Sequence, residues 1–163
     1  MADYPVTQAI RVLKENKINF IPHFYKYIEH GGTRIASLAL GIPEHQIIKT
    51  IVMHTEEKKH LIVLMHGDYE VSTKNLARKI GVKHIEPSDE ASAHKATGYV
   101  FGGMSPFGTR NKLPIYVEKT IFNLEKIFIN AGKKGFLVEL KPEDLKKCLQ
   151  VIEVEVGIKI NEK

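Results

Sequence analysis

The sequence has little cysteine and no long apolar run, and each absence excludes a class of protein. The 163 residues contain one cysteine, Cys148, which cannot form an internal disulfide, and this fits a reducing compartment. No segment approaches the roughly 18 to 20 apolar residues of a transmembrane helix. The N-terminal stretch MADYPVTQAIRVLKENK lacks the pattern of an export signal. We therefore expect a cytoplasmic protein that stays in water.

The sequence also lacks the common catalytic and cofactor motifs. It contains no Walker loop, no GxGxxG at a strand-to-helix turn and no GxSxG elbow. His54, His60 and His66 recur at regular intervals, but without zinc-ligand spacing, so we expect exposed or hairpin-flanking histidines rather than a metal site. No motif ties Ser105 to a histidine and a carboxylate, which favours a turn role over a catalytic triad. We predict neither a metal nor a cofactor.

Length and composition indicate one ordinary globular unit. A chain of 163 residues, 43% hydrophobic and 26% charged, has enough apolar surface for one core, so we predict a single domain over residues 1–163. The formal net charge is +5 and the sequence pI is about 9.2. This charge suits a polyanionic partner such as nucleic acid, but it does not by itself identify one.

Five segments have the spacing and end signals of helices. The first covers about residues 5–16, and the last is PEDLKKCLQ, in which Cys148 should be buried beside Leu145 and Leu149. Between them, three segments have a polar residue at the N-cap position. These predicted caps are Thr33, Ser72 and Ser88. The helix that follows Thr33 should end at Gly41, and the helix that follows Ser72 should end at Gly81.

The remaining apolar segments read as strands. QIIKTIVMH and HLIVLMH, joined by a polar turn, predict a hairpin. Further strands are predicted at INFIPHFYKY, VKHIEP, TGYVFGG, LPIYVEK, EKIFINAG, GFLVEL and VIEVEVGIKI. Helices and strands do not alternate regularly, so we predict an α/β (α+β) fold around a largely antiparallel, barrel-like sheet.

The stretch GGMSPFG, residues 102–108, has two possible explanations. As a tight connection, its glycines supply positive φ angles, Pro106 fixes φ and Ser105 bonds locally. Alternatively, Gly102 and Gly103 lack a Cβ, which lets backbone N–H groups approach a ligand's carbonyl or phosphate oxygens. Donors aimed at a developing negative charge are worth ~3 kcal/mol each. The residues alone leave both explanations open.

Lys49 is the second unusual feature, because it places a cation within an apolar strand. The alternation of a strand could turn it to solvent. If it points into a cleft instead, its ammonium is a compact point charge suited to a phosphate or an ester carbonyl oxygen. Thr50 beside it adds a hydroxyl group.

Four segments in order resemble the YbaK/ProX (EbsC) family of aminoacyl-tRNA editing deacylases. They are IIKTIVMH, STKNLARKIGVKHIEP, ATGYVFGGMSPFGTRNKLP and INAGKKGFLVEL, and the resemblance covers about residues 5–150. Members of this family resemble the editing domain inserted in some prolyl-tRNA synthetases and act in trans on wrongly charged tRNA. The resemblance implies a six- or seven-stranded, mostly antiparallel, barrel-like sheet with surrounding helices.

The resemblance also implies a set of site residues. Lys49 matches the lysine needed for deacylation, and residues 102–106 match the GxxxP substrate loop. The implied substrate-binding residues are Tyr25, Thr50, Gly102, Gly103, Met104, Ser105, Pro106, Gly108, Asn130 and Gly132. Asn130 and Leu137 stand where Cys-tRNA(Pro) deacylases carry a serine and an aspartate, and residues 31–37 lack the aromatic of those members. These departures leave the amino acid specificity open.

The implied function is hydrolysis of the ester of mischarged tRNA, with Cys-tRNA(Pro) or a similar small residue on tRNA(Pro) as substrate. Its partners would be the acceptor end of aminoacyl-tRNA and, as a candidate, prolyl-tRNA synthetase. The attacking group would be water or the thiol of a cysteinyl substrate. The basic residues that could guide the acceptor stem, or simply be solvated, are Arg110, Lys112, Lys133 and Lys134.

Two other functions share the same pocket. A non-catalytic module could bind aminoacyl-tRNA without hydrolysing it, or a hydrolase could act on a small nucleotide ester. Ionic strength separates the last of these from a tRNA reader, because phosphate contacts make tRNA binding steeply salt-dependent.

Overall fold

The computed structural model describes residues 3–160, which form helices on both faces of a mixed sheet. The helices are α1 (Gln8–Glu15), α2 (Gly32–Leu40), α3 (Thr73–Ile80), α4 (Glu90–Thr97) and α5 (Asp144–Cys148). The strands are β1 (Ile21–Phe24), β2 (Ile47–Thr55), β3 (His60–His66), β4 (Tyr69–Val71), β5 (Ile85–Pro87), β6 (Ile115–Glu118), β7 (Ile127–Lys133), β8 (Phe136–Leu140), β9 (Val151–Val154) and β10 (Gly157–Lys159).

The main sheet has eight strands in the order β1-β8-β7-β2-β3-β6-β9, with β5 also paired to β2, while β10 and β4 form a separate pair. The predicted hairpin of β2 and β3 is confirmed, and β7 and β8 form a second one. The prediction of a mostly antiparallel sheet was wrong in part, because β2·β7, β3·β6 and β6·β9 are parallel. Parallel neighbours require crossover connections, and the chain between them is long enough to supply those.

The central strand β2 changes partner along one of its edges. Its first residues, Ile47 and Ile48, pair with β7, and its last, residues 53–55, pair with β5. The opposite edge pairs continuously with β3 from Ile48 to His54. On the first edge, β2 has no strand partner among the described residues between Ile48 and Met53. The sheet is therefore split there, next to Lys49 and Thr50.

Most predicted helix ends are confirmed. Gly41 and Gly81 adopt left-handed conformations that end α2 and α3, and Ser72 caps α3 by accepting from Asn75 N. Helix α1 begins at Gln8, with Thr7 as its cap, rather than near residue 5. None of the described helices has the length and apolar character that would let it span a membrane.

Two predicted caps were wrong. Asp89, not Ser88, caps α4, because its carboxylate accepts from Ser92 N while the Ser88 hydroxyl lies 3.1 Å from His54 Nδ1. Thr33 lies inside α2, and its hydroxyl donates to Glu44 Oε2 at 2.6 Å. In both cases a tertiary hydrogen bond takes the hydroxyl away from the helix end.

Two strand predictions also failed. TGYVFGG is a turn, since Gly98 and Gly102 have φ angles of 85° and 87° that a strand cannot accommodate. VIEVEVGIKI is divided between β9 and β10. The division occurs where the buried Glu118 carboxylate accepts from Val156 N at 2.7 Å and Gly157 N at 3.1 Å, replacing a strand partner with a side chain.

The alternation of β3 separates two cores. Ile62 and Leu64 face the larger one, into which α1 inserts Ile10 and Leu13. The intervening residues Leu61, Val63 and Met65 face a smaller core against α3. Both faces of β3 are thus covered, which explains its continuous apolar sequence.

The segment 98–114, between α4 and β6, is irregular in backbone but anchored in the larger core. Phe107 is fully buried, and the hydroxyl of the buried Tyr99 donates to the Phe107 carbonyl. Burial raises the pKa of Tyr99 to about 12, so the phenol stays a hydrogen-bond donor at neutral pH. The loop that carries the glycines is therefore tied to the core at its two ends.

We expect Tyr99→Phe to lower the free energy of unfolding by about 1–3 kcal/mol, because the Phe107 carbonyl loses its buried donor. Urea denaturation measures the change. Tyr116→Phe is a matched control, since Tyr116 is also buried and no hydrogen bond of its hydroxyl to a described residue is seen. Equal losses in the two variants would contradict an anchoring role for the Tyr99 hydroxyl.

Candidate active site

A cleft of about 440 Å³ opens at the split in the sheet. Strand β2 forms one wall, the glycine loop faces it, and α2 and β8 close the end. Its lining residues are Tyr25, Tyr27, Glu29, His30, Gly32, Thr33, Ala36, Ile47, Ile48, Lys49, Thr50, Glu90, Phe101, Gly102, Met104, Asn130 and Leu137. The missing strand partner is what allows successive residues of β2, which point to opposite faces of a sheet, to border one cavity.

Lys49 is half-buried in this cleft, and its ammonium donates a hydrogen bond to the Tyr69 carbonyl. Burial lowers the pKa of Lys49 from its ordinary value, while the carboxylates of Glu44, Glu70 and Asp68 oppose that shift. Strand alternation alone would have allowed Lys49 to point into bulk solvent, but its side chain lines the cleft instead. One backbone carbonyl fixes the position of the ammonium, whose remaining N–H groups can donate to a ligand.

Thr50 supplies a hydroxyl that is not committed within the protein. Its Oγ1 is buried and has no hydrogen-bond partner among the described residues. Thr50 borders both the main cleft and a smaller neighbouring hollow of about 170 Å³. A buried hydroxyl without a partner costs about 1–3 kcal/mol of folding free energy.

Gly102 has no room for a side chain. Its φ angle is 87°, and a Cβ would collide with the ring of Tyr27, so the backbone approaches that aromatic directly. Gly103 N–H donates to the Val100 carbonyl at 3.0 Å and Phe107 N–H to Ser105 Oγ at 3.2 Å. Gly102 and Met104 line the cleft, and their N–H groups have no hydrogen-bond acceptor among the described residues.

Asn130 braces the glycine loop against the β7–β8 hairpin. Its Nδ2 donates to the carbonyls of Gly102 and Lys133, each at 3.0 Å. Its Oδ1 accepts from Gly132 N at 2.7 Å and from Lys133 N at 3.1 Å. Asn130 lies where β7 leaves β2, so this side chain crosses the split that strand pairing does not close.

The structure brings together six of the residues implied by the resemblance and separates the others. Tyr25, Lys49, Thr50, Gly102, Met104 and Asn130 line the cleft. Gly103, Ser105, Pro106, Gly108 and Gly132 do not line it. Ser105 is fully buried, Pro106 and Gly108 border a different groove, and Gly132 packs on the Tyr99 ring.

Several lining residues could not be found from sequence. Tyr27 and Glu29 precede α2 in an irregular segment with no pattern to mark them, and Lys134 links them, with its Nζ 5.1 Å from the Tyr27 ring centroid and 2.8 Å from Glu29 Oε1. Phe101 was assigned to a strand that does not exist. The apolar end of the cleft comes from Ala36 and Leu137, which are 101 positions apart in the chain and meet only through α2 and β8.

A pair of histidines lies behind Lys49. The rings of His45 and His66 stack at 3.7 Å, and both pack against the Tyr69 ring. Of the expected exposed or hairpin-flanking histidines, His66 is the second kind: it ends β3 and is fully buried between the His45 carbonyl (2.8 Å) and Thr120 Oγ1 (2.7 Å). Burial lowers the pKa of His66, so a neutral ring supports the segment that holds Lys49.

Residues 3–160 contain no group of three or more histidine, cysteine or acidic residues that could hold a metal ion. Cys148, predicted to be buried, is half-buried, and desolvation raises the pKa of its thiol to about 11. It borders a groove of about 860 Å³ together with Arg110 and Lys112, on the segment that follows the glycine loop. That groove is larger than the cleft but does not include Lys49.

The chemistry of the cleft is that of a site that can hold an acyl or phosphoryl group between main-chain N–H donors and one lysine. The chain belongs to the aminoacyl-tRNA editing domain family, whose sequence model matches residues 34–148. The predicted family resemblance is thus confirmed.

The relatives include a protein of similar length and proline–tRNA ligases, in which the match covers a small part of the ligase. EbsC of Enterococcus faecalis, named for deacylation of Cys-tRNA(Pro) and Cys-tRNA(Cys), is 29% identical over 138 residues, which cover 84% of each chain. The proline–tRNA ligase of Brachyspira hyodysenteriae is 30% identical over 86 residues, 53% of this chain and 15% of the ligase. A solved structure described as a trans-editing enzyme for prolyl-tRNA synthetase has a TM-score of 0.80 at 18% identity, covering 95% and 99% of the two chains, and shows the same fold.

We expect Asn130→Asp to loosen the glycine loop, because a carboxylate keeps the bonds from Gly132 N and Lys133 N but cannot donate to the Gly102 carbonyl. Both bonds donated by Asn130 Nδ2 are lost, so amide hydrogen exchange should become faster at Gly103, whose N–H donates to the Val100 carbonyl, by about tenfold or more. Exchange in β3 serves as the internal control. Unchanged exchange at the loop would show that the Asn130 amide does not hold it.

Proposed function

We propose that this protein is an aminoacyl-tRNA deacylase that hydrolyses the ester of wrongly charged tRNA in trans. One observation carries the proposal: Lys49 and Gly102, far apart in sequence, border the same cleft at the split in the sheet. Family membership supports the substrate class, and the name of the E. faecalis relative supports the reaction. The relative covers 84% of this chain, so the comparison extends across nearly the whole unit.

The acyl ester is bound with its carbonyl at the glycine loop. The N–H groups of Gly102 and Met104, which line the cleft, face the oxygen on which negative charge develops, and Asn130 keeps that backbone in place. Lys49 contributes a positive charge from the opposite wall, where it holds the terminal phosphate or polarises the ester. Because the donors are fixed before the substrate arrives, little reorganisation is needed during the reaction.

The reaction balances without a protein nucleophile. Water attacks the ester carbonyl carbon and gives a tetrahedral oxyanion held by the loop. The intermediate then expels the ribose oxygen, which takes up a proton, and leaves a free amino acid and a tRNA with a free terminal hydroxyl. With a cysteinyl ester, the substrate thiol is a second candidate for the attacking group. The high pKa of Cys148 and its place in another groove give the protein's own thiol no part in this step.

The closed end of the cleft favours a short, apolar aminoacyl side chain. Ala36, Ile47 and Leu137 are almost fully buried there, and Tyr25 borders them. Burial raises the pKa of Tyr25, so its phenol is neutral beside these apolar side chains. Alanyl and cysteinyl esters fit such a site, which is consistent with the expected small residue on tRNA(Pro).

The proposed partner is the acceptor end of aminoacyl-tRNA, and prolyl-tRNA synthetase is a candidate source of charged tRNA. Support for a polyanionic partner comes from Arg110 and Lys112, two cations on the groove bordered by Pro106 and Gly108, which is separate from the cleft. Lys134 is paired with Glu29 at 2.8 Å, and its charge is partly neutralised at the mouth of the cleft.

The decisive variant is Lys49→Met. We expect it to reduce kcat/KM on mischarged tRNA(Pro) by about 100-fold or more, because the cleft loses its cation. Its free energy of unfolding should change little, because loss of the hydrogen bond to the Tyr69 carbonyl opposes the relief of a buried charge. The pKa of Lys49 is lowered by burial, so the cost of its ammonium is fully present at neutral pH, begins to fall as pH rises through the lowered pKa, and is gone above the pKa of the unfolded chain.

The measurement is hydrolysis of a panel of correctly and wrongly charged tRNAs, with cysteinyl- and alanyl-tRNA(Pro) included, beside denaturation of both proteins. Lys59→Met is a control for loss of an exposed lysine. Full activity of Lys49→Met would remove the lysine from the mechanism. Binding without hydrolysis of any panel member would identify a non-catalytic module, and salt-independent hydrolysis of a small nucleotide ester would identify the other alternative.

A second variant tests the apolar end of the cleft. Leu137→Ala should enlarge it and raise the ratio of activity on valyl- to alanyl-tRNA(Pro) by about tenfold, the effect of one or two methylenes in a pocket. Leu140→Ala is matched to it, being equally buried on the same strand but outside the cleft. Both should lose about 2–5 kcal/mol of stability. An unchanged ratio in Leu137→Ala would place the aminoacyl side chain elsewhere.

A further inference from the structure

Phe101 is an exposed aromatic residue at the mouth of the cleft. Its side chain is 43% exposed, and it immediately precedes Gly102, whose backbone faces the proposed ester. The Phe101 ring makes no aromatic or cation–π contact with the residues that the structure describes. A large apolar side chain left in solvent beside a binding cleft suggests a contact with the ligand.

Two hollows meet at Phe101. The main cleft of about 440 Å³ holds Lys49 and the apolar end, and the smaller one of about 170 Å³ is bordered by Val52, Pro87 and Ser88. Thr50, Phe101, Gly102 and Met104 line both. A ligand whose reacting group lies at Gly102 therefore has a second compartment directly beside it, with the Phe101 ring between them.

The two tyrosines of the cleft already pack against other residues of the protein. Tyr27 lies against Gly102 and carries the Lys134 ammonium 5.1 Å from its ring centroid. Tyr25 belongs to the apolar cluster with Ala36 and Leu137. Phe101 is thus the aromatic face of the cleft that is open to a flat ligand group.

The proposed substrate brings such a group to this position. In an aminoacyl ester of a terminal ribose, the nucleobase is attached to the same sugar as the acyl group, so it lies next to the glycine loop once the carbonyl is bound there. Bases stack on aromatic side chains with a strength sufficient to affect binding, whichever base is present.

Resting on the function proposed above, we infer that Phe101 is a positioning residue on which the terminal nucleobase of the tRNA stacks, with the base lying over the smaller hollow at Pro87 and Ser88. Stacking fixes the ribose between the two compartments and presents the ester to Gly102 and Lys49. The contact exists in the ground state and in the transition state, so its loss should weaken binding more than it slows the chemical step.

The test uses two non-hydrolysable amide analogues, alanylamino-deoxyadenosine and the same compound without its nucleobase. The wild-type protein should bind the adenosine analogue about tenfold or more tightly than the baseless one, as stacking on an aromatic residue provides. Phe101→Ala should abolish this preference, and Phe101→Tyr should retain it because the ring is kept. On alanyl-tRNA(Pro), Phe101→Ala should raise KM with kcat nearly unchanged.

Val100→Ala is the matched control, since Val100 is 42% exposed, adjacent in sequence and outside both hollows. It should keep the base preference of the wild-type protein. A preference that survives in Phe101→Ala, or is lost equally in Val100→Ala, overturns the stacking assignment while deacylation by the wild-type protein stands. If the wild-type protein binds neither analogue and hydrolyses no charged tRNA, the proposed function fails as well.

Discussion

The site depends on one constraint, which is that β2 exchanges β7 for β5 along a single edge. A continuous partner would place Lys49 and Thr50 on opposite faces of a closed sheet. Because pairing stops between Ile48 and Met53, both residues border one cleft, and Gly102 and Met104 of the glycine loop line it as well. The cleft is therefore a gap in the sheet rather than a depression on its surface.

The gap is held open by side chains instead of strand pairing. Asn130 connects the end of β7 to the Gly102 carbonyl, and Tyr99 ties the far end of the glycine loop to the core. On the other wall, the Tyr69 carbonyl fixes Lys49, and the stacked His45 and His66 support Tyr69. These contacts hold the donors of the cleft in position before a ligand binds, which is what charge stabilisation in a polar reaction requires.

The same arrangement carries a cost in stability. Lys49 is half-buried with a lowered pKa, and the Thr50 hydroxyl is buried without a partner in the described protein. Neither contributes to folding as an apolar residue would at those positions. Both residues lie on the wall that faces the glycine loop, and the Lys49 ammonium keeps N–H donors for a ligand.

The sequence by itself determined the elements whose signals are local. The β2–β3 hairpin, the glycine ends of α2 and α3 and the cap at Ser72 followed from residue patterns, and a family resemblance singled out Lys49 and Gly102, which line one cleft. Only the tertiary structure decided which strands run parallel, that Ser88 and Thr33 give their hydroxyls to distant partners, and that Ser105, Pro106 and Gly108 face away from the cleft. It alone also brought Ala36 to Leu137 and placed Phe101 at the mouth. The physical reason is that turns and caps are set by neighbours along the chain, whereas strand order, competing hydrogen bonds and cavity walls are set by residues that meet only after the chain has folded.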